Sequence, residues 1–146
     1  MKITIFTFIF ISTLLKAELN WANSYEDAQQ RALKEHKGIL AVITKKSCVW
    51  CRKLESTTLQ NDAVIKRIHS KFVPVHLTRL QDEYPTHLMA KMVPISYFLF
   101  ADGTPIMRGV NGYWSVEDYL SIMDDVDRYK RKHDKKRREQ KNKEVK

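Results

Sequence analysis

The apolar run Ile39-Leu40-Ala41-Val42-Ile43 is followed almost at once by Cys48-Val49-Trp50-Cys51, which holds the only two cysteines of the chain. That pairing constrains the fold more than any other feature. Five consecutive hydrophobes suit a central strand buried on both faces. The segment after them, Val49 to about Thr58, reads as a helix. Two intervening residues place both cysteines on its first turn, close enough for one disulfide. The helix N-terminus carries partial positive charge and free N–H groups, which stabilise a thiolate at Cys48. A disulfide closing so short a loop gains little from chain entropy. The pair is therefore a poor staple and reads as a working redox couple.

Length allows one domain and not two. At 43% hydrophobic residues, with only 4 glycines and 4 prolines, the chain has material for an ordinary core and is neither fibrous nor of low complexity. The start stands apart from that core. Met1-Lys2 is a short basic segment, Ile3 to Leu15 is mostly apolar, and Leu15-Lys16-Ala17 offers a cleavage site. Such a run is short for a bilayer span, so residues 1–17 read as a secretory signal peptide, with an uncleaved membrane anchor as the alternative. The expected location is the periplasm or another exported compartment, where a disulfide persists.

The net charge of +9 is unevenly placed. Residues 128–146 hold 11 Lys and Arg against 3 Asp and Glu, whereas residues 17–127 hold 13 basic and 14 acidic side chains. The charge is a tail on a nearly neutral body, which argues against reading the whole chain as nucleic-acid binding. The expected divisions are a domain over 18–128 and a basic tail over 129–146, helical or disordered.

Helical spacing of Tyr25, Ala28, Ala32 and Leu33 predicts a helix from Ser24 to His36, capped by Ser24 with Asp27 and closed by Gly38. Asn61 or Asp62 caps another, ending near Lys71. Phe72 to Leu77 reads as a strand; because Pro74 lacks an N–H, either the strand is an edge or the proline sits at an unpaired position. Pro85 to Lys91 reads as a short helix. Ile95 to Phe100 is a strand, and Ala101 to Thr104 a hairpin turn into a partner strand Pro105 to Arg108. Ser115 caps a last helix with an apolar stripe ending at Val126. Asn20-Trp21-Ala22 reads as an edge strand or a lead-in. The order is (β)αβααβαββα, an α/β fold with a central sheet and helices on both faces. Trp21, Tyr97, Phe98 and Phe100 are expected in the core.

Three elements together resemble the thioredoxin superfamily, and within it the exported thioredoxin-like proteins. They are the apolar strand leading into Cys48-Val49-Trp50-Cys51-Arg52-Lys53-Leu54, Val93-Pro94 before the strand Ile95 to Phe100, and the hairpin Asp102-Gly103 leading through Ile106, Arg108 and Gly109 to Gly112-Tyr113. The resemblance covers about Trp21 to Val126. It implies a thioredoxin-like fold with a central mixed sheet, and a thiol–disulfide oxidoreductase. Cys48 is then the nucleophile and Cys51 the resolving thiol. Pro94 is the cis-proline facing the disulfide, and Val93 offers backbone groups to an extended substrate, with Trp50 beside them.

The implied partners are thiol- or disulfide-containing exported proteins and a redox-recycling partner, itself a candidate for the membrane. The tail reads first as a solvated extension with no specific partner and second as attracted to an anionic membrane surface, with no nucleic acid because of the expected export. No cofactor is implied beyond the Cys48–Cys51 disulfide. Metal is disfavoured because structural zinc takes four ligands and His69, His76 and His87 are scattered. The chain departs from the family in three places. Val42 stands where many thioredoxins carry a buried acid, Ser47 replaces a frequent tryptophan, and Val49-Trp50 replaces Gly-Pro. C-x-x-C proteins span about −270 to about −120 mV, so the couple's potential sets the direction of electron flow. The alternative function is a non-catalytic binding or assembly module using the Pro94 face or the tail.

Overall fold

The computed structural model describes residues 17–144. The signal segment expected over 1–17 therefore lies, Ala17 excepted, outside the described residues. Eight regular elements follow in order: α1 (Tyr25–Glu35), β1 (Gly38–Thr44), α2 (Val49–Ser56), α3 (Asp62–Lys71), β2 (Phe72–Thr78), β3 (Ile95–Leu99), β4 (Val110–Asn111) and α4 (Val116–Glu144). The sheet order is β2-β1-β3-β4. β1 runs parallel to β2 and antiparallel to β3, giving the mixed sheet.

Every residue of β1 is buried, as a strand covered on both faces requires. Alternate side chains feed two apolar layers. Leu40, Val42, Phe72 and Phe98 pack with Leu54 of α2, Ile65 and Ile68 of α3, and Tyr119, Met123 and Val126 of α4. Ile39, Ala41, Ile43, Val73, Val75, Ile95 and Leu99 pack with Tyr25, Ala28 and Ala32 of α1. The period-2 and period-3.6 patterns thus meet in three layers. Of the four aromatics expected inside, Phe98 is buried, while Trp21, Tyr97 and Phe100 are only partly covered.

The caps formed as read from the sequence. Ser24 Oγ accepts the Asp27 N–H at 3.1 Å, and Ser115 Oγ accepts the Asp118 N–H at 3.2 Å. Asn61 Oδ1 accepts from Ala63 at 3.0 Å to open α3. Pro74 lies on the edge strand, and its carbonyl accepts the Ala22 N–H at 2.8 Å, so Ala22 makes a single parallel bridge to Val75.

Four boundaries differ from the sequence reading. His36, not Gly38, takes the left-handed conformation that ends α1 (φ 54°). Gly38 opens β1 instead, and its lack of a Cβ is used: a Cβ there would stand 2.5 Å from the Leu99 carbonyl oxygen and 2.9 Å from the Phe72 ring. The helix expected over Pro85 to Lys91 shrinks to a single 3-10 turn, Thr86–Leu88. α2 stops at Ser56, where a 3-10 turn, Thr58–Gln60, leads into α3. The strand expected at Pro105 to Arg108 is reduced to one bridge, Leu99 to Pro105, and the pairing moves on to β4, opposite Ile95 and Ser96. Pro105 supplies no N–H to continue a ladder. α4 runs without interruption through the tail to Glu144.

Candidate functional site

β1 delivers the chain at Thr44 to the loop Lys45–Ser47, where Ser47 adopts φ 61° and turns the backbone into α2. Cys48 is the N-cap of α2, and its Sγ accepts the Cys51 N–H at 3.2 Å. In place of the usual hydroxyl or carboxylate, a sulfur satisfies one of the orphan donors of the first turn. The same N–H stabilises negative charge on that sulfur once the bridge is reduced. Cys48 and Cys51 form a disulfide with their Cα atoms 5.2 Å apart. Their environments differ. Cys48 is partly exposed, whereas Cys51, one step into the helix, is 2% exposed.

The segment Val93–Pro94 closes the site from β3. The peptide bond between these two residues is cis. The Val93 carbonyl oxygen lies 3.9 Å from Cys48 Sγ. The loop carrying it is held at both ends. Gly112 donates its N–H to the Pro94 carbonyl at 2.7 Å, and Arg79 Nη1 donates to the Lys91 carbonyl at 3.0 Å. The site residues named from sequence, Cys48, Cys51, Val93, Pro94 and Trp50, therefore share one end of the sheet.

Trp50 is exposed and its ring lies 6.0 Å from that of Tyr113. Lys53 Nζ sits over both rings, 5.2 Å from Trp50 and 4.5 Å from Tyr113. Tyr113 also packs against the apolar layer that includes Tyr119 and Met123 of α4, so one ring serves both surfaces. Val49, Met89 and Met92 are exposed on the two segments that flank the disulfide. Lys45 and Lys46 are exposed in the loop before Cys48.

A polar cluster beside α2 escaped the sequence reading. His76 Nε2 lies 2.8 Å from Glu55 Oε1 and 3.0 Å from Thr44 Oγ1. Glu55 follows Cys51 by one helical turn, and His76 is in register with Val42 across β1 and β2. Two signals pointed to it: the i, i+4 spacing of Cys51 and Glu55, and the shared parity of Val42, Thr44 and the facing strand position. Register between separate strands is not visible in one sequence, so the cluster emerges only in three dimensions. Among the described residues no group of three His, Cys, Asp or Glu side chains is placed to hold a metal ion.

A family model described as a thioredoxin-like domain matches residues 25–127. Among solved structures, the DsbH oxidoreductase superposes with TM-score 0.60 at 20% identity, covering 75% of this chain and 85% of that one. A thioredoxin from Thermus thermophilus gives TM-score 0.64 at 15% identity, over 75% of this chain and 88% of that one. The oxidised C-terminal domain of DsbD from Neisseria meningitidis gives 0.56 at 17% identity, over 68% and 90%. No curated protein sequence matches the chain.

Proposed function

The chain belongs to the thioredoxin-like domain family, and from that premise we propose that it is a thiol–disulfide oxidoreductase acting through Cys48 and Cys51 on cysteines of other exported proteins. The observation that carries the reading is the asymmetry of the pair: a partly exposed sulfur receiving an amide at a helix N-terminus, bridged to a buried one.

The reduced enzyme attacks with the Cys48 thiolate on a substrate disulfide. One substrate sulfur leaves as a thiolate and the other is held in a mixed disulfide with Cys48. Cys51 loses its proton and attacks Cys48 Sγ, releasing the second substrate thiolate. Two electrons pass to the substrate and the enzyme is left as the disulfide. In the reverse direction the disulfide accepts two electrons from a substrate dithiol. A dithiol or disulfide protein, the recycling partner, restores the starting state. Val42 supplies no acid beneath Cys51, so the Cys51 proton passes to water or to another group.

Val93 and Pro94 form the wall against which an extended substrate segment lies, with the Val93 carbonyl beside the reacting sulfur. Trp50 and the exposed Val49 and Met92 give that segment apolar surface to cover. Export is part of this proposal: residues 1–17 read as a secretory signal, and a Cys48–Cys51 bridge would persist outside the cytosol. Equilibration of the pair against dithiothreitol, followed by insulin reduction, tests the proposal. Wild type is expected to catalyse and Cys48→Ser to be inert. Equal behaviour of the two proteins would instead favour a non-catalytic binding module.

A further inference from the structure

The two ends of the sheet carry different chemistry. β1 rises from Gly38 to Thr44, about 20 Å at strand spacing, and the disulfide follows its upper end. α4 leaves the body at the lower end. His133 packs at a tilt against Phe100, just beyond β3, with ring centroids 4.6 Å apart and 41° between the planes. A surface groove there is walled by Leu33, Lys37 and Gly38 on one side and by Lys130, Asp134 and Arg137 on the other. Beyond that contact the helix stands in solvent, with residues 135–140 all exposed.

Between residues 128 and 144 this helix carries 10 Lys and Arg against 3 Asp and Glu. Lys135, Lys136, Arg137 and Arg138 are consecutive, and at about 100° per residue they ring the axis. After Tyr129 the described helix has no strong hydrophobe, so it lacks a face for insertion into a groove or into lipid tails. What fits such a rod is a broad anionic surface met by charge alone. The upstream chain approaches the same end. The Asn20 N–H is donated to His69 Nε2, in the last turn of α3, at 3.1 Å, and Ala22 then pairs parallel to β2. Residues 17–19 thus lead away from the disulfide. The apolar run Ile3 to Leu15, read as a secretory signal, directs the chain to an exported compartment bounded by lipid. A polynucleotide would also satisfy the cations, but it is not the anionic surface that bounds such a compartment.

We propose that the helical extension from Arg128 to Lys143 is an electrostatic tether to an anionic lipid bilayer, which it meets at the end of the sheet opposite Cys48–Cys51. The disulfide then faces away from the lipid, toward soluble proteins. The tether stands without the redox reading, because its binding does not involve the cysteines.

Co-sedimentation of residues 18–146, the chain left once the expected signal is removed, with vesicles tests it. Vesicles of phosphatidylcholine with about 30% phosphatidylglycerol should retain the protein at about 0.1 M salt and release it at about 1 M, while pure phosphatidylcholine should not bind it. The variant K135Q/K136Q/R137Q/R138Q should bind on the order of a thousandfold more weakly. The charge-conserving variant K135R/K136R/R137K/R138K should bind as wild type. Equal retention on neutral vesicles would overturn the tether, as would a tighter complex with double-stranded DNA at the same salt. The dithiothreitol reduction rate of the disulfide should match within about twofold on and off the vesicle. Protection beyond about tenfold would overturn the stated orientation; catalytic inactivity of the free protein would instead count against the redox proposal alone.

Discussion

Cys48 Sγ lies 3.9 Å from the Val93 carbonyl oxygen, although the two residues are 45 positions apart in the chain. One side of the sulfur is thus occupied by Val93 and another by the Cys51 N–H. A substrate sulfur must approach along what remains of its surface. Cys51, at 2% exposure, is closed to a protein substrate. The two cysteines should therefore fail differently. With a disulfide-bonded peptide, reduced Cys51→Ser should accumulate a mixed disulfide at Cys48, because resolution is lost. Reduced Cys48→Ser should accumulate none. Non-reducing electrophoresis with mass spectrometry reads both, and an adduct at Cys51 in the second variant would contradict the assigned order.

Trp50 carries the next expectation. It is 56% exposed and tilted against Tyr113, so little of it supports the core. Trp50→Ala should change stability by less than about 0.5 kcal/mol, the usual range for exposed sites. Covering about 60 Å² of the indole with substrate would contribute roughly 1.5 kcal/mol, near a tenfold effect on KM. The kcat should stay within about twofold, since the sulfurs are untouched. Steady-state kinetics on a peptide disulfide checks this. A drop in kcat with KM unchanged would remove Trp50 from the substrate surface.

Much of the fold was legible in the sequence because it rests on local periodicity. The unbroken run Ile39–Ile43, the caps at Ser24, Asn61 and Ser115, and the strand over Phe72–Leu77 all declare themselves within a few residues. The site was legible where it follows from chain order, as with Cys48 and Cys51. Val93 and Pro94 came from the resemblance, not from local chemistry. What escaped depends on meetings across the fold. Gly38 looked like a helix stop, yet its purpose is the approach of the Leu99 carbonyl and the Phe72 ring, neither visible from Gly38 itself. The second hairpin strand was placed too early because Asp102-Gly103 signals a turn but says nothing of where pairing resumes. It resumes after Gly109, against which the Tyr97 ring packs so closely that a Cβ would stand 2.5 Å away. The Glu55–His76–Thr44 cluster needed the β1–β2 register.

Tyr119 is fully buried and donates its hydroxyl hydrogen to Ser96 Oγ at 2.9 Å. Burial pushes its phenol far above the ordinary range, and the Ser96 hydrogen bond offsets only part of that. The folded value thus exceeds the unfolded one, near 10.0. The neutral phenol stabilises the fold fully below that unfolded value, and the contribution is lost as pH rises beyond it. Wild type should lose stability on the alkaline side above about pH 10, and Tyr119→Phe should show a shallower loss. At neutral pH the same variant leaves the buried Ser96 hydroxyl without this partner and should cost about 1–2 kcal/mol. Urea denaturation across the alkaline range measures both, and an unchanged alkaline limb in the variant would exclude Tyr119 as its source.

Asp127 joins the last helix to α3 through two cations. Arg67 Nη2 donates to its Oδ2 at 2.7 Å, and Lys71 Nζ donates to the same oxygen. Arg67 also reaches Asp124 Oδ1 at 2.5 Å. Burial pushes the Asp127 carboxyl up, but the hydrogen bonds and charges of Lys71 and Arg67 outweigh it and hold the group below its ordinary value of 3.8. A depressed folded pKa contributes stability above the unfolded value, and that contribution disappears as pH falls through the folded one. The clasp should therefore be intact at neutral pH and fail only in acid, below about pH 4. Asp127→Asn keeps the shape, removes the charge, and should cost about 1–2 kcal/mol at pH 7. Its denaturation midpoint should then change less than that of wild type between neutral and acid pH, so the two curves converge. Parallel curves would show that the acid sensitivity lies elsewhere. The comparison also bears on the tail, because this clasp fixes the direction in which α4 leaves the body.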